Sequence, residues 1–324
     1  MQNSLLIGAI VLLGLLLRAF SLNQSFWIDE ATSVLVARDF SFNEILTKFS
    51  PGDFHPPLHY LLLKIWVGIF GASEIGARSL SVVFGVATLP ITFLIGRQLF
   101  DRKTGLIAAL FIATAPLHIY YSQEARMYVP ATFFAALVVL FFVRIMQQTR
   151  WSWIDAVGLG TSIVSLLYTD YLPVFLILSL GAFLVLFNQI KSVAEIHKWL
   201  LFVFVLMLLF VPWLPTFIKQ LSGGLSVESS SPGWWQVLGK TSFKELLLVP
   251  IKFMIGRISS YDKAFYAVGV AIPGAFFGFL FLKSLRIWEK TRLLWFWLIG
   301  PILLAAAGGL IASGFSYFRL LFVL

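Results

Sequence analysis

The chain has 324 residues, 59% of them hydrophobic and only 12% charged, with a formal net charge of +9. A soluble domain carries about 25% charged residues, so a soluble enzyme and a disordered chain are both excluded: too few polar side chains exist to coat a water-facing surface. There is no cysteine, which removes disulfides, thiolate metal sites and cysteine nucleophiles. The surplus of Lys and Arg is what membrane proteins place in cytoplasmic loops, and it calls for no nucleic-acid partner.

Nearly uncharged runs long enough to cross a bilayer recur along the whole sequence. In chain order they are 1–17, 79–96, 104–121, 127–143, 151–169, 171–190, 199–218, 264–282 and 293–318, which predicts nine spans. The run 1–17 lacks a basic leader and a small-residue cleavage site, so it reads as a retained span and not as a signal peptide. Residues 319–324 begin another apolar stretch, the pattern expected of a longer protein.

One segment decides the sidedness. Residues 58–71 are apolar but short, carry Lys64, and follow Pro56-Pro57. Read as a helix lying on the membrane surface, they leave every short basic loop on one side: Arg97, Arg102 and Lys103; Arg144 and Arg150; Lys191 and Lys198; Lys283, Arg286, Lys290 and Arg292. The positive-inside rule then makes that side, and the N-terminus, cytoplasmic. The outer segments become 22–78, with surface helices, 121–126, Asp170, 219–263 and the turn near Arg319.

Most of the acids gather on that outer face although they are far apart in sequence. They include Asp29, Glu30, Asp39, Glu44, Asp53, Glu124 and Asp170, together with Arg126 and the aromatic-rich stretch His55-Pro56-Pro57-Leu58-His59-Tyr60. Acids, one arginine and aromatics at a membrane interface suit a lipid-borne anionic substrate. Each residue also has a plainer reading. Asp29 and Glu30 open a surface helix, where acids meet the N-terminal dipole. Arg126 can serve as an interfacial anchor. His55 and His59 have a metal-ligand spacing, but two prolines intervene, so a hydrogen-bonded role fits better. Asp170 sits where a helix-capping residue belongs. The Gly- and Ser-rich stretch 223–233 reads as a flexible loop.

These residues, in this order, resemble the GT-C membrane glycosyltransferases. The nearest group is family 39, the protein mannosyltransferase-like and lipid A aminoarabinose transferase-like proteins. The resemblance rests on Asp29-Glu30, His-Pro-Pro-Leu-His-Tyr at 55–60, Phe70-Gly71-Ala72-Ser73-Glu74 with Arg78, Gly96-Arg97-Gln98-Leu99-Phe100, and Tyr121-Ser122-Gln123-Glu124-Ala125-Arg126-Met127-Tyr128. Ser316-Tyr317-Phe318-Arg319 is a weaker late echo. It implies an all-α polytopic transmembrane bundle forming one domain over 1–324, multi-pass in a bacterial or archaeal plasma membrane. It also implies inverting transfer of a sugar from a polyprenyl-phosphate donor to a protein, glycan or lipid acceptor, with the active site extracytoplasmic.

On that resemblance Asp29 is the catalytic base, with Glu30 its competitor or an orienting group. Arg126 binds the donor phosphate with help from Arg319, and His55, His59, Tyr60, Glu124 and Tyr128 contact substrate. Lys48 and Lys64 are further candidates for the phosphate. No cofactor is required, although a divalent metal on Glu124 fits some relatives. The absence of a Gly-rich nucleotide loop agrees with a lipid donor. The competing readings are a multi-span transporter and a noncatalytic polyprenyl-lipid flippase or scaffold; the nearly charge-free spans count against transport.

Overall fold

The structure is a computed structural model that describes residues 2–148, 151–187, 189–190, 192–230, 241–258, 261–310 and 315–324. The described residues are helical throughout, with no strand among them. In chain order the helices are α1 Gln2–Ala19, α2 Ile28–Asp39, α3 Phe42–Glu44, α4 Leu58–Phe70, α5 Glu74–Leu99, α6 Arg102–Thr114, α7 Pro116–Ser122, α8 Tyr128–Gln147, α9 Trp153–Thr169, α10 Val174–Leu186, α11 Val193–Phe210, α12 Leu214–Ser230, α13 Phe243–Ile255, α14 Lys263–Arg286 and α15 Trp288–Gly308. A 3-10 segment, Tyr317–Val323, ends the chain.

By length and composition, α5, α8, the run 193–224 through α11 into α12, α14 and α15 can each cross a membrane. The pair α6–α7, bent by 59°, is apolar and long enough to do so when its two helices are taken together. Four shorter apolar helices, α1, α4, α9 and α10, accompany them; α1, α9 and α10 fall on three of the runs read as spans from the sequence. At about 1.5 Å per residue α4 and α10, of 13 residues each, reach only about 20 Å, against a bilayer core of about 30 Å.

Helix α8 is the hub. Ala131, Ala135, Val138, Val139 and Phe142 are buried among α5, α9 and the terminal 3-10 segment. By contrast α14 has no buried residue, as expected of a lipid-facing helix. A close backbone seam joins α5 to α6, where a Cβ on Gly96 would come within 2.7 Å of the Gly105 Cα. Asp101 caps α6 by accepting the Thr104 N–H at 2.8 Å, which sets the short turn between the two helices.

The bend between α6 and α7 has a clear origin. Pro116 has no N–H and opens α7, so carbonyls at the end of α6 lose their helical donors. Arg18 of α1, fully buried, donates to the carbonyls of Ile112 at 2.9 Å and Ala113 at 3.0 Å. It also reaches His118 Nδ1 at 2.8 Å and Ser122 Oγ at 3.2 Å. Gly85 leaves room for this crossing, since a Cβ there would strike Ser122 Oγ.

Two expectations are corrected. The run 293–318 is not one helix: α15 stops at Gly308, where Gly308-Gly309 lacks helix propensity, and Leu320, Leu321, Phe322 and Val323 are buried beyond it. The stretch read as a loop from 223 is helical to Ser230. Its serines bond within the helix, Ser226 Oγ to Gly223 O and Ser230 Oγ to Ser226 O, both at 2.8 Å. Residues 231–233 lie outside the described residues.

Candidate active site

The site forms where α2, the start of α5 and the turn 123–127 between α7 and α8 meet. Its frame is a buried ion pair. Glu30, 1% exposed, takes both arms of the Arg78 guanidinium, at 2.9 Å on Oε1 and 2.7 Å on Oε2. Arg78 also donates to the carbonyls of Leu22, Gln24 and Ser25, so it fixes the chain entering α2. The Ala125 N–H donates to Glu30 Oε1 at 2.8 Å, and the Trp27 N–H lies 3.4 Å from Oε2. The expected competitor for proton transfer is thus fully engaged and closed to solvent.

Asp29, one residue earlier, faces the other way. Its side chain is 47% exposed and lies 3.8 Å from an Arg126 amino group. Arg126 is buried, with Nη1 donating to Ser33 Oγ at 3.1 Å and to the Asp29 carbonyl at 3.4 Å. Its Nε has no partner among the described residues. Tyr128 lies with its ring 5.9 Å from the guanidinium and packs edge-on to Tyr121 and Phe318.

Glu124 is 5% exposed and its Oε2 is unpartnered. Burial pushes its carboxyl up to about 7; Glu30 adds to the rise, while Tyr120, Arg257 and Arg126 oppose it. Arg257, between α13 and α14, donates to Tyr120 Oη at 2.8 Å and stacks on that ring. It was not singled out from the sequence. The available signal was its position: a cation in an outer segment is not explained by orientation.

The motif 55–60 splits at its prolines. His59, in the first turn of α4, is 1% exposed and donates from Nε2 to the Ala125 carbonyl at 3.2 Å. Burial and the nearby Arg126 charge pull its pKa down to about 3, so the ring is neutral. Tyr60, also buried, donates to Asp53 Oδ2 at 2.7 Å, and His55 Nδ1 lies 3.5 Å from the same oxygen. Burial would raise Asp53, but His55 and Tyr60 hold it down at about 2. Gln220 of α12 clasps this loop, donating to the carbonyls of Ser50 at 2.6 Å and His55 at 3.1 Å.

Other candidates are more peripheral. Arg319 is half-buried and lies 6.0 Å from the Phe318 ring; its charge acts on Tyr128 and on Asp170. Asp170 caps the start of the next segment through the Leu172 N–H at 3.0 Å, and burial raises its pKa. Lys48 pairs with Glu44 at the surface, and Lys64 donates to the Ala37 carbonyl, so neither joins the site. No group of three or more His, Asp or Glu residues that could hold a metal ion gathers among the described residues. Glu124 is therefore not part of such a cluster there.

The architecture has known counterparts. ArnT from Cupriavidus metallidurans bound to undecaprenyl phosphate matches with a TM-score of 0.66 at 14% identity, over 99% of this chain and 57% of that one. The Archaeoglobus fulgidus oligosaccharyltransferase in its apo form matches at 0.59 with 16% identity, over 99% and 49%. Two uncharacterised proteins of Aquifex aeolicus (strain VF5) are related in sequence. One is 28% identical over 293 residues, 85% of this chain and 52% of its own length. The other is 30% identical over 180 residues, 51% and 40%. The chain thus spans about half the length of the relatives it matches. Residues 54–215, half of the chain, match the profile of dolichyl-phosphate-mannose-protein mannosyltransferases. On this match and on its GT-C fold, the chain belongs to that family of membrane glycosyltransferases.

Proposed function

We propose that this chain carries the catalytic part of an inverting glycosyltransferase that moves a sugar from a polyprenyl phosphate to an acceptor hydroxyl on the extracytoplasmic face. The observation that carries this reading is Asp29 beside Arg126: an open carboxylate 3.8 Å from a buried guanidinium that retains an unpartnered Nε. The ArnT structure with undecaprenyl phosphate supports a lipid phosphate as the donor's leaving group.

In the step proposed, the acceptor oxygen attacks the anomeric carbon as the bond from that carbon to the phosphate oxygen breaks. The acceptor proton passes to the Asp29 carboxylate, a contribution of about 10²–10⁴-fold in rate. The phosphate leaves with the bonding electrons and meets the Arg126 guanidinium, whose charge is already desolvated and held in place. Single displacement from the opposite face inverts the anomeric centre.

The remaining residues position these two. Glu30 locks α2 to Ala125, which puts Asp29 and Arg126 side by side. His59 holds the same residue through its carbonyl, and Tyr60 with His55 orders Asp53 behind the loop. Glu124 titrates near 7; protonated, it donates a hydrogen bond toward the phosphate, and ionised, it repels that phosphate. Tyr128 and Arg319 border the phosphate side.

The test supplies membranes containing the full-length protein with labelled polyprenyl-phosphate sugars and extracts of protein, glycan and lipid acceptors. Transfer of label with inverted anomeric configuration supports the reading. Label that stays on the polyprenyl phosphate with every acceptor overturns it.

A further inference from the structure

The end of the bundle opposite this site holds a cavity of about 320 Å³ that the glycosyltransferase reading leaves unused. It lies where α5, α8 and α10 finish and α15 begins, about 30 Å from Tyr128 along the 20 residues of α8. Its polar lining comes from Gln147, Gln189, Lys290 and Arg292, with Glu289 at the edge.

Arg292 is held in place, while Lys290 stands exposed beside it. Arg292 stacks over Phe187 at 4.6 Å and Phe183 at 5.9 Å, which fixes the guanidinium on an aromatic shelf. Its ion pair with Glu289, at 3.1 Å, is weak restraint because the Glu289 side chain is 80% exposed. Gln147 is oriented by Gln98, which donates to its Oε1 at 2.6 Å, while Gln147 Nε2 bonds back to the Gln98 carbonyl at 2.9 Å. The floor is apolar: Leu99, Val143, Met146, Phe183 and Leu293.

The surroundings of this cavity suit lipid headgroup depth. Val185 and Leu186, at the end of α10 beside it, are 69% and 66% exposed, as lipid-facing side chains are. Trp288 and Trp295 pack together on α15, next to Phe187, as aromatics do at a membrane–water boundary. A phosphate at that level meets Lys290 and Arg292, and acyl chains leaving it meet exposed apolar helices. Basic pockets between spans at this level suit anionic headgroups.

We propose that this cavity binds the headgroup of an anionic glycerophospholipid, with Arg292 and Lys290 on the phosphate and Gln147 and Gln189 on the glycerol. The site is independent of sugar transfer. The two cations that a charge-count reading assigns to orientation thereby acquire a ligand.

Native mass spectrometry of the full-length protein, released from nanodiscs of mixed phosphatidylglycerol and phosphatidylcholine, tests this. Retained phosphatidylglycerol adducts are expected for the parent. The K290Q/R292Q variant should lose them about tenfold or more, since each cation near the headgroup is worth roughly fivefold in affinity. R97Q/R102Q, which removes the same charge from the same end of the bundle, should retain them. Unchanged thermal unfolding of K290Q/R292Q separates lost binding from lost folding, and the milder R292K, which keeps the charge, should retain about half of the adduct. Three results would overturn the proposal: equal retention of phosphatidylcholine, equal loss in R97Q/R102Q, or full competition by millimolar inorganic phosphate.

Discussion

Replacing Glu30 by Ala separates bracing from chemistry in the Asp29-Glu30 pair. The Glu30 carboxylate accepts 2.7–2.9 Å bonds from both Arg78 arms and the Ala125 amide while only 1% exposed. Its removal leaves a buried Arg78 with carbonyl partners alone and strands the Ala125 N–H. Breaking a buried pair from one side costs about 3–5 kcal/mol, because the surviving charge remains desolvated. Unfolding of the purified full-length protein in detergent, by heat or urea, should show that loss. R78M should cost a similar amount, and the E30A/R78M double variant should cost less than the sum by about 2–3 kcal/mol. If E30A unfolds within about 0.5 kcal/mol of the parent yet transfers no sugar, Glu30 takes part in the chemistry and the bracing argument is wrong.

Glu124 gives a pH test. Its folded pKa of about 7 lies above the ordinary 4.5, so the folded state holds an extra proton between those values. The stability this confers is complete below about 4.5 and is lost as pH rises through 7. E124Q should therefore be more stable than the parent at pH 8, by on the order of 2–3 kcal/mol, with the gap closing toward pH 4.5. It should also flatten a decline in transfer above pH 7; an unchanged decline removes Glu124 from that role. For Arg18, R18M withdraws the donors of Ile112, Ala113 and Ser122 at once and should destabilise by about 3 kcal/mol or more in the same unfolding assay. Gly105→Val forces a side chain to within 2.4 Å of the Phe93 carbonyl and should cost about 1–3 kcal/mol or stop the protein accumulating in membranes.

The fold was legible because span composition is a physical constraint: long apolar runs have few alternatives to helix in a bilayer. Pro56 and Pro57 marked the start of a helix, and α4 begins at Leu58. Helix ends were less legible. The break falls at Gly308-Gly309, inside an apolar run with no charge to mark it, and the Gly- and Ser-rich composition of 223–230 argued for a loop where the backbone is helical. In the site, the type of residue was readable and its exposure was not. Asp29 and Glu30 are chemically near-equivalent neighbours, yet about 100° of helical rotation sends one outward and the other onto Arg78. His55 and His59 keep their sequence spacing but serve different partners, as Pro56-Pro57 implied. Arg18 stood at the end of a span with nothing to reveal that it would cross to a bend nearly a hundred residues away.

The pairing of an open carboxylate with a buried guanidinium is decided by Asp29→Asn in the full-length protein, assayed in membranes with a labelled polyprenyl-phosphate sugar. Asp29 is half-exposed and its carboxylate makes a loose 3.8 Å ion pair with Arg126, so unfolding should shift by no more than about 1 kcal/mol. Transfer should fall by about 10²–10⁴-fold while donor binding persists. Transfer within about twofold of the parent, with the protein folded, would contradict the assignment of Asp29 as the proton acceptor.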